Sequence, residues 1–147
     1  MLSPLLFLLF INDLESLLKL DSDCLLVLYA DDTSIVVTGS ILSKVIDRTN
    51  DILNLFYSWC SKNKLIVNLS KAQFLSFSLR RQVPDFQLFM NGQHIKRVEE
   101  CCFLGLRINS DMSWSSHIDH MANKLNSAYL AIVNLKNILT TKQLIGV

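Results

Sequence analysis

The feature that most constrains this chain is a pair of acidic residues set between two apolar runs. Cys24 to Tyr29 is continuously apolar, Ile35 to Val37 is apolar again, and Ala30-Asp31-Asp32-Thr33-Ser34 lies between them. Short apolar runs around a polar tip read as two largely buried strands joined in a hairpin, with the carboxylates at its end. Adjacent carboxylates repel, and buried strands beside them raise the cost of leaving that charge unpaired. A divalent cation is a natural partner. Oxygen-rich acidic sites with open positions suit Mg2+, and two such ions can clamp the attacking and leaving oxygens of a phosphoryl displacement. Taken alone, Asp31-Asp32 is more often an ordinary acidic turn, so the pair gains meaning only from its surroundings.

The rest of the pattern alternates helices with hairpins. Pro4 suits the first turn of a helix, where its missing N–H is no loss. Leu5 to Leu18 reads as that helix, interrupted by Asn12 and Asp13. The apolar run Leu2 to Ile11 is too short for a membrane span of about 20 residues and lacks the flanks of a signal peptide, so it is expected as a buried helix. Leu42, Val45, Ile46, Thr49, Ile52, Leu53, Phe56 and Cys60 recur three and four apart, the mark of an amphipathic helix. Asp47, Arg48, Asn50, Asp51 and Asn54 fall on its polar face, and Lys62-Asn63-Lys64 closes it. Leu65 to Leu69 and Phe74 to Leu79 are expected to be extended.

Asn91-Gly92 separates Phe86–Met90 from Gln93–Val98 and tolerates the positive φ angles of a two-residue hairpin turn. Cys101 to Ile108 reads as a further strand in which Gly105 permits a bulge or a close approach. From Ser115 to Leu139 an apolar stripe through Ile118, Met121, Ala122, Leu125, Ala128, Tyr129, Ile132, Leu135 and Leu139 predicts a long helix. Thr140 or Thr141 could cap another. The elements at both ends read as cut short.

Composition supports one folded domain. The chain has 147 residues, and 50% hydrophobic against 18% charged residues argues against disorder. The net charge of +1 is the sum of −2 over residues 1–79 and +3 over residues 80–147, an imbalance small enough to arise by chance. Cys24, Cys60, Cys101 and Cys102 form no C-x-x-C pair, and adjacent cysteines in a strand face opposite ways, so zinc binding and disulfides are not expected. His117 and His120 are expected as surface helix residues. Reduced thiols fit an intracellular protein.

The string around the acidic pair carries a resemblance. Ser3-Pro4-Leu5-Leu6-Phe7-Leu8-Leu9-Phe10-Ile11-Asn12-Asp13-Leu14 resembles the end of the template-side helix motif in reverse transcriptases of non-LTR (LINE-type, jockey-like) retrotransposons. Leu28-Tyr29-Ala30-Asp31-Asp32-Thr33 resembles their catalytic Y-A-D-D box. Trp59, Asn63, Lys64-Leu65, Asn68 and Lys71 match a following segment of that family, although Ala72 stands where the family usually has Thr. Phe103-Leu104-Gly105 resembles the primer grip, and Trp114 with His117-Ile118 resembles the start of the thumb. Five motifs occur in family order along essentially the whole chain.

The resemblance implies an α+β fold: part of a right-hand polymerase palm with an antiparallel sheet over residues 1–110, then the first thumb or connection helices over 111–147. It implies RNA-directed DNA synthesis by two-metal nucleotidyl transfer in the full-length enzyme, with Mg2+ or Mn2+ held by Asp31 and Asp32. Asp31 would be the principal ligand. Lys71 would be a proton donor to departing pyrophosphate or a phosphate contact. Tyr29 and Ala30 would shape the hairpin beside the primer terminus, and Phe103, Leu104 and Gly105 would approach the primer backbone. Trp59 and Trp114 are expected as packing residues rather than base-stacking platforms.

The partners implied are an RNA template, a DNA primer and dNTP, with no membrane, in the cytoplasm and nucleus. The family has a further catalytic Asp, on a strand upstream of the template-side helix, that this sequence does not contain, so the chain alone is expected to be inactive. A non-enzymatic remnant that at most binds nucleic acid or a partner shares the same fold expectation.

Overall fold

A computed structural model of the chain describes residues 3–18, 22–30, 32–78 and 84–135. Their element order is α1 (Ser3–Ile11), α2 (Leu14–Leu18), β1 (Cys24–Tyr29), β2 (Asp32–Val37), α3 (Leu42–Lys62), β3 (Gln73–Phe74), β4 (Leu88–Met90), β5 (Gln93–Arg97), β6 (Glu100–Phe103), β7 (Leu106–Asn109) and α4 (Ser115–Leu135). The fold is mixed, with antiparallel hairpins and a long C-terminal helix. It divides into two compact units. The first comprises Met1–Gln73 and Pro84–Lys96, the second Phe74–Val83 and Arg97–Val147.

In the first unit, β1 and β2 pair antiparallel from Cys24↔Val37 to Tyr29↔Asp32. The strand period of two puts Cys24, Leu26, Leu28, Ile35 and Val37 on one face. That face packs on a core of Ile11, Leu14, Leu18, Ile52, Trp59 and Cys60. Leu14, Leu18 and Ile52 are fully buried, so the short α2 is a central packing element despite having five residues. Trp59 joins α3 to the first helix: its ring lies 6.0 Å from that of Phe10, and its indole N–H donates to Asp13 Oδ2 over 3.5 Å. Asn12 and Asp13 do break the first helical segment, as expected, and Asp13 then serves as the indole's acceptor.

The apolar face of α3 forms as its spacing predicts. Its end is a Schellman motif. Leu65 N–H donates to the Cys60 carbonyl and Lys64 N–H to that of Ser61, with Lys64 at φ 59° in the left-handed position where glycine is commonest. The chain then runs through Leu65 and Val67, which pack on the core. This stretch is not paired as a strand, and of the strand expected over Phe74–Leu79 only Phe74 is in one, the two-residue β3. Leu79 lies outside the described residues.

The β4–β5 hairpin has the predicted register around Asn91-Gly92, with φ of 50° and 73° at those residues. Leu88, Met90 and Ile95 are buried. The polar face of α3 supplies what the pattern did not suggest. Asn50 Oδ1 and Asn54 Oδ1 accept the backbone N–H groups of Phe89 and Asn91 at 2.9 and 3.0 Å.

Three further expectations are corrected. The first helix is not buried: Phe7 and Ile11, one turn apart, meet the core, while Leu5, Leu6, Leu8 and Leu9 are exposed because nothing among the described residues covers their faces. Among the described residues the β1–β2 strands are covered on one face only, where the helices pack on them. Leu25, Tyr29 and Val36 on the other face are exposed. Cys101–Ile108 is not one strand but the hairpin β6–β7, with Leu104-Gly105 as its turn. A residue pair with φ of 49° and 85° reverses the chain instead of bulging it.

In the second unit α4 packs its first turns near β7, but its apolar stripe has no buried residue, and Trp114 is 56% exposed rather than packed. The expected continuation of α4 to Leu139, and a helix capped at Thr140 or Thr141, lie outside the described residues.

Candidate functional site

The acidic turn sits where a strand period of two and a two-residue loop must put it. Tyr29 pairs with Asp32, so Ala30 and Asp31 alone make the connection, and β2 begins at Asp32 rather than at Ile35. The hairpin is therefore tighter than the five-residue tip expected from the sequence. Two-residue hairpin turns favour positive φ, because that twist matches the strands they join. Ala30 adopts φ 50°, a region where a Cβ costs about 1 kcal/mol.

Asp31 lies outside the described residues. Asp32 is exposed at the end of β2, and its carboxylate has no hydrogen-bond or ion-pair partner among the described residues. Tyr29 is 63% exposed beside it, on the face of the hairpin away from the core. Core packing thus rests on Leu26, Leu28 and Ile35 and leaves the Tyr29 and Asp32 side chains free to meet a ligand.

Carboxylate oxygens at an exposed tip fit Mg2+, which keeps several of its waters and is commonly held by one or two carboxylates plus substrate phosphates. Among the described residues, which exclude Asp31, no group of three His, Cys, Asp or Glu side chains is placed to hold a metal.

Lys71 is exposed in a turn in which its N–H donates to the Asn68 carbonyl and Ala72 N–H to that of Leu69. It belongs to the first unit but forms no ion pair with Asp32. Phe103, Leu104 and Gly105 belong to the second unit. There Leu104 and Gly105 are the exposed tip of the β6–β7 hairpin and Phe103 is half-buried at the end of β6. Leu104, like Ala30, holds a left-handed conformation that a side chain disfavours.

The second unit also contains a polar cluster that the sequence did not announce. Arg107 Nη1 donates to Glu100 Oε1 at 2.8 Å, and Ser116 Oγ donates to the other Glu100 oxygen. His117 Nδ1 accepts the Arg107 backbone N–H at 3.4 Å. The Ser116 hydroxyl, with Arg107 behind it, holds the Glu100 carboxyl below its ordinary value. Loss of solvation, then the charges of Arg107 and Lys124, lower His120. These bonds fasten the first turn of α4 to the β6–β7 hairpin, which explains why that turn is anchored while the rest of the helix is bare. The histidines, expected as surface residues, are half-buried here.

A family profile described as "Reverse transcriptase (RNA-dependent DNA polymerase)" matches residues 1–108, the part of the chain that carries all three hairpins. The chain belongs to the reverse transcriptase family. It is similar to the "RNA-directed DNA polymerase from mobile element jockey" of Drosophila melanogaster, 23% identical over 125 residues, which cover 82% of this chain and 13% of that protein. It is also similar to the "Probable RNA-directed DNA polymerase from transposon X-element" of the same organism, 21% identical over 127 residues, 86% of this chain and 14% of that protein. This reverse transcriptase chain thus spans about one seventh of the curated relatives it matches. No solved structure matches it. Among its described residues no helix is long and apolar enough to cross a membrane.

Proposed function

We propose that this chain supplies the catalytic hairpin of a retrotransposon RNA-directed DNA polymerase, with Asp31 and Asp32 as ligands of Mg2+ or Mn2+. The observation that carries the reading is the Tyr29↔Asp32 pair. It closes a two-residue turn and leaves an exposed carboxylate at the tip of a hairpin inside the family-matched region. Two bound divalent ions would supply charge stabilisation to the attacking and leaving oxygens of nucleotidyl transfer. The chain's own part is to hold carboxylates on a short, strained turn whose opposite face is anchored in the core.

In this reading residues 1–110 are palm and residues 111–147 begin the thumb or connection helices. Exposed Tyr29 and strained Ala30 lie beside the primer terminus. The Phe103-Leu104-Gly105 tip approaches the primer backbone, and the exposed Lys71 ammonium donates a proton or a phosphate contact. An RNA template, a DNA primer and dNTP are the partners, and the parent element works in the cytoplasm and nucleus. Two-metal chemistry needs carboxylates from separate elements, and positioning of this kind tolerates little loss. These 147 residues by themselves bring one acidic pair on one hairpin, so they are expected to be inactive alone.

Primer extension on an RNA template tests this. The chain alone is expected to give no product. Joined to the upstream palm strand and fingers of a related polymerase, it is expected to extend the primer, and to lose that activity on Asp31→Ala. Extension by the 147 residues alone would contradict the reading.

A further inference from the structure

We propose that α4 pairs with the α4 of a second copy of this chain, side by side and in the same direction, as a short two-stranded coiled coil. The proposal concerns the second unit alone and does not depend on the polymerase reading.

The helix is held at one end and bare along the rest. Its first turn is fastened by the Glu100–Ser116 and Arg107–His117 bonds, and Ser116, His117 and His120 are half-buried. Every residue from Met121 to Asn134 is exposed. A helix that touches nothing is marginal in water unless its sequence favours it strongly. Asn123, Asn126, Ser127, Ile132, Val133 and Asn134 are all weak helix formers. Packing along its length is what would stabilise it.

The order of the apolar residues says what kind of partner fits. Ile118, Met121, Leu125, Ala128, Ile132 and Leu135 follow one another at steps of 3, 4, 3, 4 and 3 residues, the pattern of a coiled-coil seam. Ile118, Leu125 and Ile132 take the first position of each heptad, and Met121, Ala128 and Leu135 the fourth. β-branched residues at the first position and none at the fourth favour two parallel strands over three or four.

A second copy satisfies the flanks of this seam. In a parallel pair Lys124 of one copy lies opposite Tyr129 of the other, an ammonium beside an aromatic face, and His117 lies opposite Ala122. No like charges meet across the seam among the described residues, so self-pairing carries no electrostatic penalty. Ile118, Leu125 and Tyr129 are 62%, 66% and 65% exposed, and covering this face removes on the order of 600 Å² per copy, at the lower end of specific interfaces. At 3.6 residues per turn the anchored residues Ser116, His117 and His120 centre roughly 100° around the helix from the seam. Hairpin and partner therefore use different faces, and a two-fold axis along the pair leaves both β6–β7 hairpins outside. Leu130 and Val133 lie off the seam and stay exposed, as single apolar residues commonly do.

Sedimentation equilibrium of the full chain, from roughly 1 to 200 µM, tests the proposal. A concentration-dependent dimer is expected. Leu125→Glu and Ile132→Glu should each weaken it at least about tenfold, while Asn123→Glu, off the seam, should leave it unchanged. Unaltered amide protection in β6–β7 is the folding control, since neither Leu125 nor Ile132 is buried in the single copy. A photo-crosslinker placed at Ile118 should join the partner within residues 115–122. A chain that stays monomeric throughout the range would overturn the proposal. So would a dimer that Leu125→Glu and Ile132→Glu leave intact, assembly beyond two copies, or crosslinks to residues 129–135, which would mean antiparallel pairing.

Discussion

The side-chain carbonyl of Asn50 accepts the backbone N–H of Phe89 at 2.9 Å, joining α3 to a strand 39 residues later. Asn54, one turn on, accepts the N–H of Asn91 at 3.0 Å. Helical residues four apart are separated by about 6 Å along the axis, and alternate strand residues by nearly 7 Å, so two asparagines on one helix face can serve the N–H groups of Phe89 in β4 and of Asn91 in the turn that follows it. The helix thereby stands in for a neighbouring strand at the open edge of β4, which a bare edge would otherwise offer to other chains. Replacing both residues by Ala should destabilise the first unit by about 1–3 kcal/mol, measured by urea unfolding. It should also speed amide exchange at Phe89 and Asn91 selectively. Unchanged exchange at those two amides would contradict the assignment.

The two tryptophans should behave oppositely. Trp59 is 5% exposed, packs against Phe10 and bonds to Asp13, so Trp59→Ala is expected to cost about 3–5 kcal/mol. Trp114 is mostly exposed, and Trp114→Ala should stay within about 0.5 kcal/mol. Chemical denaturation of both variants decides the matter, and equal losses would refute the placement.

These contrasts show which parts of the fold local pattern could convey. The β1 strand, the apolar face of α3 and the Asn91-Gly92 turn were legible because each rests on local information: an apolar run, a helical period, a turn dipeptide. What sequence could not convey was coverage. The stripe through Ile118, Leu125 and Tyr129 has a helical period whether or not anything lies against it, and among the described residues nothing buries it. Gly105 signalled a backbone that a side chain would resist, but a bulge and a reversal share that signal, and the pairing of Phe103 with Leu106 is what distinguishes them. The edge role of Asn50 and Asn54 spans nearly 40 residues and left no local mark. At the candidate site, the family motif pointed to the Tyr29–Asp32 turn, while the strain at Ala30 is a backbone fact that residue identity conceals.

Strain at the second hairpin tip gives another prediction. Leu104 adopts φ 49° in a two-residue turn, where Asn is favoured. Leu104→Asn should stabilise the chain by about 1 kcal/mol, seen as a higher midpoint in thermal unfolding. A lower midpoint would mean that Leu104 contributes packing beyond its half-exposed position.

Acid should loosen the second unit in two stages. His120 is held below its ordinary value of 6.5, first by loss of solvation. The unfolded chain therefore takes up the proton first, and the stability present above pH 6.5 is lost as pH falls through the folded-state value. Glu100 is held below 4.5, first by the Ser116 hydroxyl. Its contribution is present above 4.5 and is lost as pH falls further. Amide exchange in the first turn of α4, followed from pH 7 to pH 3, should rise in both windows once corrected for intrinsic rates. Glu100→Gln should shrink the lower step and leave the upper one, the remainder coming from Asp111, which the Ser113 backbone N–H holds below its ordinary value. A profile with no step in either window would contradict the cluster's role.

The most direct test of the catalytic-hairpin account is Mn2+ binding followed by paramagnetic broadening of backbone amides. The account predicts weak binding with broadening centred on residues 29–33, abolished in an Asp31→Asn, Asp32→Asn double variant. Equal Mn2+ affinity in the wild type and the double variant, or broadening centred elsewhere, would show that this turn is not the metal site.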